Sequence, residues 1–462
     1  NIQVQILAEA PGLSPVEVEK LVTFPIEVAM NGLPRLTEVR SISKFGLAVV
    51  TVVFEDDVDI YFARQLVLER LQKVKESLPP TVPDPEMGPI TTGMGEIYQY
   101  FLESDSLDVM GLRTIQDWII KPQLRTVPGV TEVNSFGGLV KQYQVLVDPA
   151  KLLSYNITLQ DVFEAVENNN SVAGGNFLEH ASEQYIIRGI GLAQTEQDLE
   201  NIIVKNEGGT PIFIKNVANV TVGPEIRQGA VVMQGRGEVA AAIVMMLKGE
   251  NSRQVAARVV DKLKQLNKAL PPGVEIDIFY DRRELVDRTV RTAVTNLTEG
   301  GLIVVAVLFL FLLQMRAGLI VSSVIPLSML VAIIGMRQFN ISANLMSLGA
   351  IDFGLIVDAA VIIVENCVRR LSQERKSLGR PLSGEERRAT ILAASVEVRK
   401  ASQFGEILII AAYLPIVSLV GIEGKMFRPM GLTVILALSA ALVLSLTLIP
   451  ALCGIFLREG KP

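Results

Sequence analysis

Cysteine is almost absent from this chain: 462 residues hold two, Cys367 and Cys453, both in or at the end of long apolar runs. That excludes a disulfide framework and leaves the two thiols as packing residues. Histidine is scarcer still. His180 stands alone in the polar stretch FLEHASEQ, reads as a surface loop residue, and cannot build a Cys/His metal site by itself. Aromatic residues make up 6%. No G-x-x-x-x-G-K-[ST] occurs, which argues against an ATP-driven machine. The net charge of −6 leaves no basic footprint for nucleic acid. The start also lacks an initiator Met, a basic n-region and an apolar h-region; residues 1–8 alternate like a strand instead. A large domain on the far side of a membrane needs a leader or a preceding helix, so a membrane segment ahead of Asn1 is expected.

What the chain does have is long uncharged runs, all in its second part. A helix needs about 20 apolar residues to cross the hydrocarbon core. Five spans are predicted, over about 297–315, 317–336, 341–368, 401–422 and 430–457. Pro326, Pro415 and Pro450 fall inside spans, which neighbouring helices make tolerable. The span 401–422 carries a single charge, Glu406. The third span, 341–368, carries three acids: Asp352, Asp358 and Glu365, in DFGLIVDAAVIIVEN. An acid at the bilayer centre costs about 2.5–3.5 kcal/mol even on insertion scales, and such residues face bundle interiors where ions or protons are handled. Asp358 and Glu365 are seven residues apart, nearly the same face of a helix about 10.5 Å apart. Asp352, six before Asp358, is expected about 120° round the same helix at 100° per residue.

Basic residues set the orientation. The stretch 369–400 holds nine of them, from Arg369 to Lys400, while the turns on the opposite side hold Arg337, Lys425 and Arg428. The basic side is cytoplasmic. A cytoplasmic loop is therefore expected over 369–400, with residues 1 to about 283 on the far side, the periplasm of a bacterium.

The outer part repeats one pattern. A strand over 1–8, a helix opening with SPVEVEK, strands over 38–44 and 47–55 and a helix over 60–78 give β-α-β-β-α. The same order is expected over 97–102, 108–127, 132–136, 140–147 and 159–168. This predicts an α+β membrane protein with ferredoxin-like, split-βαβ modules used twice. The division expected is 1–80 for the first module, 81–172 for the second, 173–228 for a Gly-rich β insertion, 229–283 as a return to the first module, and 284–462 for the membrane helices.

The stretches EAPGLSPVEVEKLVTFPIEVAMNGLP, VRSISKFGLAVVTVVFEDDVDIYFARQLVLERL, MGPITTGMGEIYQY and the acidic D-x5-D-x6-E of the third span carry a resemblance. The whole chain resembles the first half of an inner-membrane pump of the resistance-nodulation-division superfamily, in its heavy-metal efflux branch. Multidrug members carry two adjacent Asp in this helix, and the monovalent copper and silver pumps lack the first Asp. The spacing here is similar to that of divalent-cation pumps, with Ala359 where their pattern has Gly. The resemblance implies a homotrimer that works with a periplasmic adaptor and an outer-membrane channel. It also implies proton-driven export of divalent cations of the zinc, cobalt, cadmium and nickel class, with Asp352, Asp358 and Glu365 as the proton relay. Glu365 fits either a proton exit or a cytoplasmic cation path. Glu96 (GEIYQY) and Glu132 (VTEVNSF) fall where related zinc pumps place acidic ligands; solvated acids at strand edges are the other reading. Met87, Met94, Met233, Met245 and Met246 read as packing. No bound cofactor is implied beyond the transported cation and protons. A drug- or other small-molecule-exporting pump of the same fold is the alternative.

Overall fold

The computed structural model of the protein describes residues 2–457 apart from 181, 182, 208, 228, 313, 342–346, 348, 350 and 351. It divides into two units, 1–283 and 284–462.

The first unit is built on two four-stranded antiparallel sheets. In the first, β1 (Ile2–Glu9), β2 (Leu36–Lys44), β3 (Leu47–Phe54) and β4 (Glu86–Met87) lie in the order β2-β3-β1-β4. The period-2 alternation of β1 turns Val4, Ile6 and Ala8 inward. Helical segments over 15–30 and Ile60–Val74 cover that face with Val18, Val22, Ile26, Met30, Ala63 and Val67. Asp59 caps the second of these, accepting from the Tyr61 and Phe62 amides at 2.9 and 3.0 Å. Because β4 pairs with β1, the first module runs on to Met87, past the boundary expected at 80.

The second sheet contains β5 (Glu96–Ser104), β6 (Val130–Gly137), β7 (Ala240–Met246) and β8 (Val274–Asp281), in the order β8-β5-β7-β6. Numbered from its own first strand, that is the order of the first sheet again. Here the structure corrects two expectations. Residues 229–283 were expected to return to the first module, but β7 pairs with β5 and β6, and β8 pairs with β5, so this segment completes the second. The strand over 140–147 was expected to belong to the second module, after β6. It pairs instead with Ala218–Pro224. Gly137 and Gly138, both at positive φ, turn the chain out of the sheet there. Residues 141–224 therefore form the insertion, with a hairpin of Val172–His180 on Glu183–Ile190 and short helices at Glu196–Glu200 and Ile214–Val217. His180 ends a strand rather than lying in a loop.

The second unit is helical. Its elements are α1 (Arg282–Leu312), α2 (Met315–Gln338, interrupted at Ser323), α3 (Phe353–Leu378), α4 (Gly384–Val417) and α5 (Gly421–Phe456). Among the described residues four helices are long and apolar enough to cross a membrane: α1, α2, α4 and α5. The fifth expected span, 341–368, is not one of them. Most of 341–351 lies outside the described residues, and α3 carries Asp358, Glu365 and a charged tail from Arg369 onward. Yet α3 packs against α2, α4 and α5 in one apolar cluster that includes Val321, Ile356, Ala360, Val364, Ile391, Ala437 and Cys453. The expected loop 369–400 is also mostly helix. Gly379, in the left-handed region at φ 61°, caps α3. Ser383 and Glu386 form the capping box that opens α4, and Arg380 donates to the Glu386 carboxylate at 2.7 Å. The connection shrinks to residues 379–383.

Candidate functional site

The fold places the five sequence-predicted acids in two separate settings. In the helical unit, α3 starts at Asp352. This residue has φ −90° and ψ 110°, so it is the N-cap and not a member of the helix; its carboxylate accepts the Gly354 amide at 2.8 Å. The 120° placement on a continuous helix is thereby corrected. A carboxylate at a helix N-terminus satisfies an orphan N–H and meets the positive end of the dipole, so Asp352 has a structural job of its own.

Asp358 and Glu365 do lie on one face. Positions 354, 358, 362, 365 and 369 form the exposed stripe of α3, while Ile356, Val357, Ala359, Ala360, Ile363, Val364, Asn366 and Cys367 are buried on the other side. The spacing of four, four, three and four is the helical repeat. Glu365 rims an apolar groove of about 390 Å³ whose other walls are Val307, Leu308, Phe311 and Leu312 of α1 and Val361 and Val368 of α3.

One residue of this site was missed as such. Glu406 of α4, noted in the sequence only as the single charge of its span, is 5% exposed, and neither of its carboxylate oxygens has a hydrogen-bond partner among the described residues. The register of α3 on α4 explains what it faces. Asn366 donates to the Ala394 carbonyl at 2.8 Å and to the Glu397 carboxylate at 3.1 Å, and Arg370 makes a forked pair with Glu397 at 2.8 and 2.6 Å. The helices are antiparallel, so two turns back along α3 from Asn366 means two turns on along α4 from Ala394 to Glu397. That brings Asp358, at the exposed rim of α3, level with Ser402–Glu406 of α4. A lone acid in an uncharged span was the available signal; pairing it with Asp358 required the helix register.

In the first unit, Glu96 and Glu132 are partners of the same residue. Met245, on the central strand β7, is opposite Glu96 of β5 on one side and Glu132 of β6 on the other. The three side chains form one row across the sheet, with the two acids about 9–10 Å apart at the backbone from the strand spacing. Gln99 donates to Glu96 at 3.0 Å; Asn134 donates to Glu132 and to the Met245 sulfur, both at 3.4 Å. Met245 also lines a polar cavity of about 350 Å³ with Gln3, Gln5, Thr91, Thr92 and Lys248. Among the described residues no three His, Cys, Asp or Glu converge to hold a metal. The row thus holds two carboxylates flanking one thioether.

Comparison with known proteins assigns the lineage. The model of the AcrB/AcrD/AcrF family matches residues 1–462. Protein HelA of Legionella pneumophila is 52% identical over 465 residues, covering 99% of this chain and 44% of the relative. The cobalt-zinc-cadmium resistance protein CzcA of Cupriavidus metallidurans is 48% identical over 468 residues, again covering 99% and 44%. The cation efflux system protein CusA of Escherichia coli is 40% identical over 468 residues, covering 100% and 45%. A crystal structure of a heavy metal efflux pump superposes with a TM-score of 0.88 at 38% identity, over 97% of this chain and 44% of that one. The chain thus spans less than half the length of the relatives it matches. With two antiparallel four-stranded sheets, apolar helices and an acid-bearing α3, the chain belongs to the AcrB/AcrD/AcrF family.

Proposed function

We propose that this chain is part of a proton-driven exporter of divalent heavy-metal cations in the bacterial inner membrane. The observation that carries the proton drive is the uncovered acidic stripe of α3. Asp358 and Glu365 sit on an apolar bundle, and among the described residues neither is in an ion pair. Carboxylates in such a place are stable only when protonated or when a cation packs against them. Alternating between those two states is what a proton relay requires. Asp352, at the mouth of α3, joins Asp358 and Glu365 in the relay.

The remainder of the assembly follows from the family. The two sheets, each ordered 4-1-3-2 by its own strands, are ferredoxin-like porter modules, and 141–224 is the docking insertion. Three copies of the full-length protein form the pump and meet a periplasmic adaptor and an outer-membrane channel. Exposed Leu302, Ile303, Leu310 and Phe311 of α1 suit contact with lipid or with further membrane helices. The cation binds at Glu96 and Glu132, because hard and borderline divalent ions favour carboxylate oxygen. Transport is expected for zinc, cobalt, cadmium or nickel, driven by an imposed pH gradient, when the full-length protein is reconstituted in proteoliposomes. Export of organic dyes with no metal-dependent proton movement would overturn the cation reading in favour of a small-molecule pump.

The orientation has its own test. Ser377, in the basic tail of α3, and Ser106, in the first unit, are both exposed. The native Cys367 and Cys453 are free and buried, so they give little background. In intact cells, Ser106→Cys is expected to react with an impermeant thiol reagent and Ser377→Cys to stay unlabelled until the cells are opened. Reversed labelling would overturn a periplasmic first unit.

A further inference from the structure

A single acid in the apolar part of α4 needs a reason to be there. Glu406 is buried, both its oxygens lack a partner among the described residues, and the α3–α4 register sets it opposite Asp358. Among the described residues no side chain hydrogen-bonds either of its oxygens. On α4 the neighbours in sequence are Lys400 and Tyr413, six and seven residues away. On α5, which packs against both α4 and α3, the run 430–456 holds Cys453 as its one ionisable side chain. Cys453 is buried in the same apolar cluster as Cys367, and Cys367 meets Ser395 at 3.5 Å, three turns from Glu406. Asp358 of α3 is the acid that the α3–α4 register sets at its level.

We propose that Glu406 is a second proton-carrying carboxyl that works as a pair with Asp358 across the α3–α4 interface. The inference rests on the proton-driven reading above. An ionised carboxylate buried without a partner costs several kcal/mol, which a bound proton removes. With both groups ionised, two like charges lie at one level of the bundle, Asp358 at its exposed rim and Glu406 buried. Binding one proton forms one O–H bond, removes one negative charge and relieves the repulsion at the other group. The two carboxyls therefore titrate as a unit, and protons leave the pair in two steps that belong to it and not to either residue. Glu406 lies on α4 and Asp358 on α3, so each protonation step changes the force between two helices. A packing role gives no such coupling: a buried polar side chain kept for shape would have its oxygens hydrogen-bonded.

The test uses the full-length pump in proteoliposomes with zinc as the probe, comparing wild type, Glu406→Gln, Glu406→Asp and Asp358→Asn. Gln keeps the shape and cannot carry the proton; Asp keeps the chemistry. Glu406→Gln removes one negative charge from the level of Asp358. The pH profile of zinc-driven proton movement in Glu406→Gln is therefore expected to move toward acid by about one pH unit, the scale that defines a coupled pair. Glu406→Asp is expected to restore the wild-type profile. Infrared difference spectra of protein labelled at glutamate are expected to show a protonated carboxyl that titrates in wild type and is missing in Glu406→Gln. A Glu406→Gln profile that overlies wild type, or a wild-type spectrum without that band, would overturn the pairing. The spectrum of wild type decides the matter even if Glu406→Gln fails to assemble. Asp358→Asn separates the two levels: full activity in that variant sinks the proton-driven reading itself, whereas inactive Asp358→Asn beside unshifted Glu406→Gln sinks only the role of Glu406.

Discussion

Replacing Asp358 by Asn in the full-length pump is expected to reduce proton-coupled metal export to background and to remove metal resistance in a sensitive strain. The folded assembly should persist. Asp358 lies on the exposed stripe of α3, and among the described residues it makes no hydrogen bond or ion pair that Asn would break. Exchanges at such positions change stability by about 0.5 kcal/mol or less. Asn is close to isosteric with Asp but has no proton to bind or release, so the cycle stops while the helix stays. Asp352→Asn is the informative neighbour. Its side chain caps α3 by accepting the Gly354 amide, and Asn caps as well as Asp does. Loss of transport in Asp352→Asn at unchanged thermal stability assigns it to the relay; unchanged transport leaves it as a cap. Proton-coupled zinc efflux by Asp358→Asn at the wild-type rate, measured with a pH-sensitive dye inside the vesicles, would defeat the assignment.

Much of this molecule is written in its periodicity. The alternation in 1–8 and the run LAVVTVVF predict β1 and β3 because one face of each strand must be buried. The S-P-V-E opening predicts the helical start at Pro15, where the capping box of Ser14 and Glu17 is found. Hydropathy finds the apolar helices for the same local reason. What local signals do not carry is pairing between distant segments. Lys141–Val147 reads as the next strand of the second module after β6, yet its partner lies some 80 residues on, in Ala218–Pro224. The strand Ala240–Met246 gives no sign that it will lie between β5 and β6.

The candidate site divides in the same way. Asp358 and Glu365 share a face because seven residues make two turns, which the sequence states outright. Asp352 breaks the wheel because the helix begins one residue after it. Its role as a cap depends on backbone angles, although Asp followed by Gly two positions later is consistent with it. Glu406 is visible as an anomaly, one acid in an apolar run, but its partner is set by Asn366, Arg370 and Glu397, which fix how α3 lies on α4. Glu96 and Glu132 come out of the sequence only through family resemblance. That both flank Met245 follows from two registers on a strand over 100 residues further along.

That row leads to the second large effect. Glu96→Gln with Glu132→Gln is expected to weaken zinc or cobalt binding by on the order of 10–100-fold, the range seen when groups supporting a metal site are replaced. Two anionic donors become neutral amides while the side-chain volumes stay the same. Gln at either position can still hydrogen-bond Gln99 or Asn134, which now meet Glu96 and Glu132, so the sheet is expected to keep its stability. The measurement is calorimetric titration of the purified full-length protein with each metal. Met245→Leu separates hard from soft chemistry in the same row. It removes the sulfur that accepts from Asn134 at 3.4 Å and keeps a similar apolar volume. Divalent binding through carboxylate oxygen predicts that Met245→Leu costs little for zinc while the double acid variant costs much. The reverse ranking would point to a soft monovalent cation held by sulfur. Unchanged affinity in the double variant would show that Glu96 and Glu132 are solvated strand acids and that the cation is held elsewhere in the full-length protein.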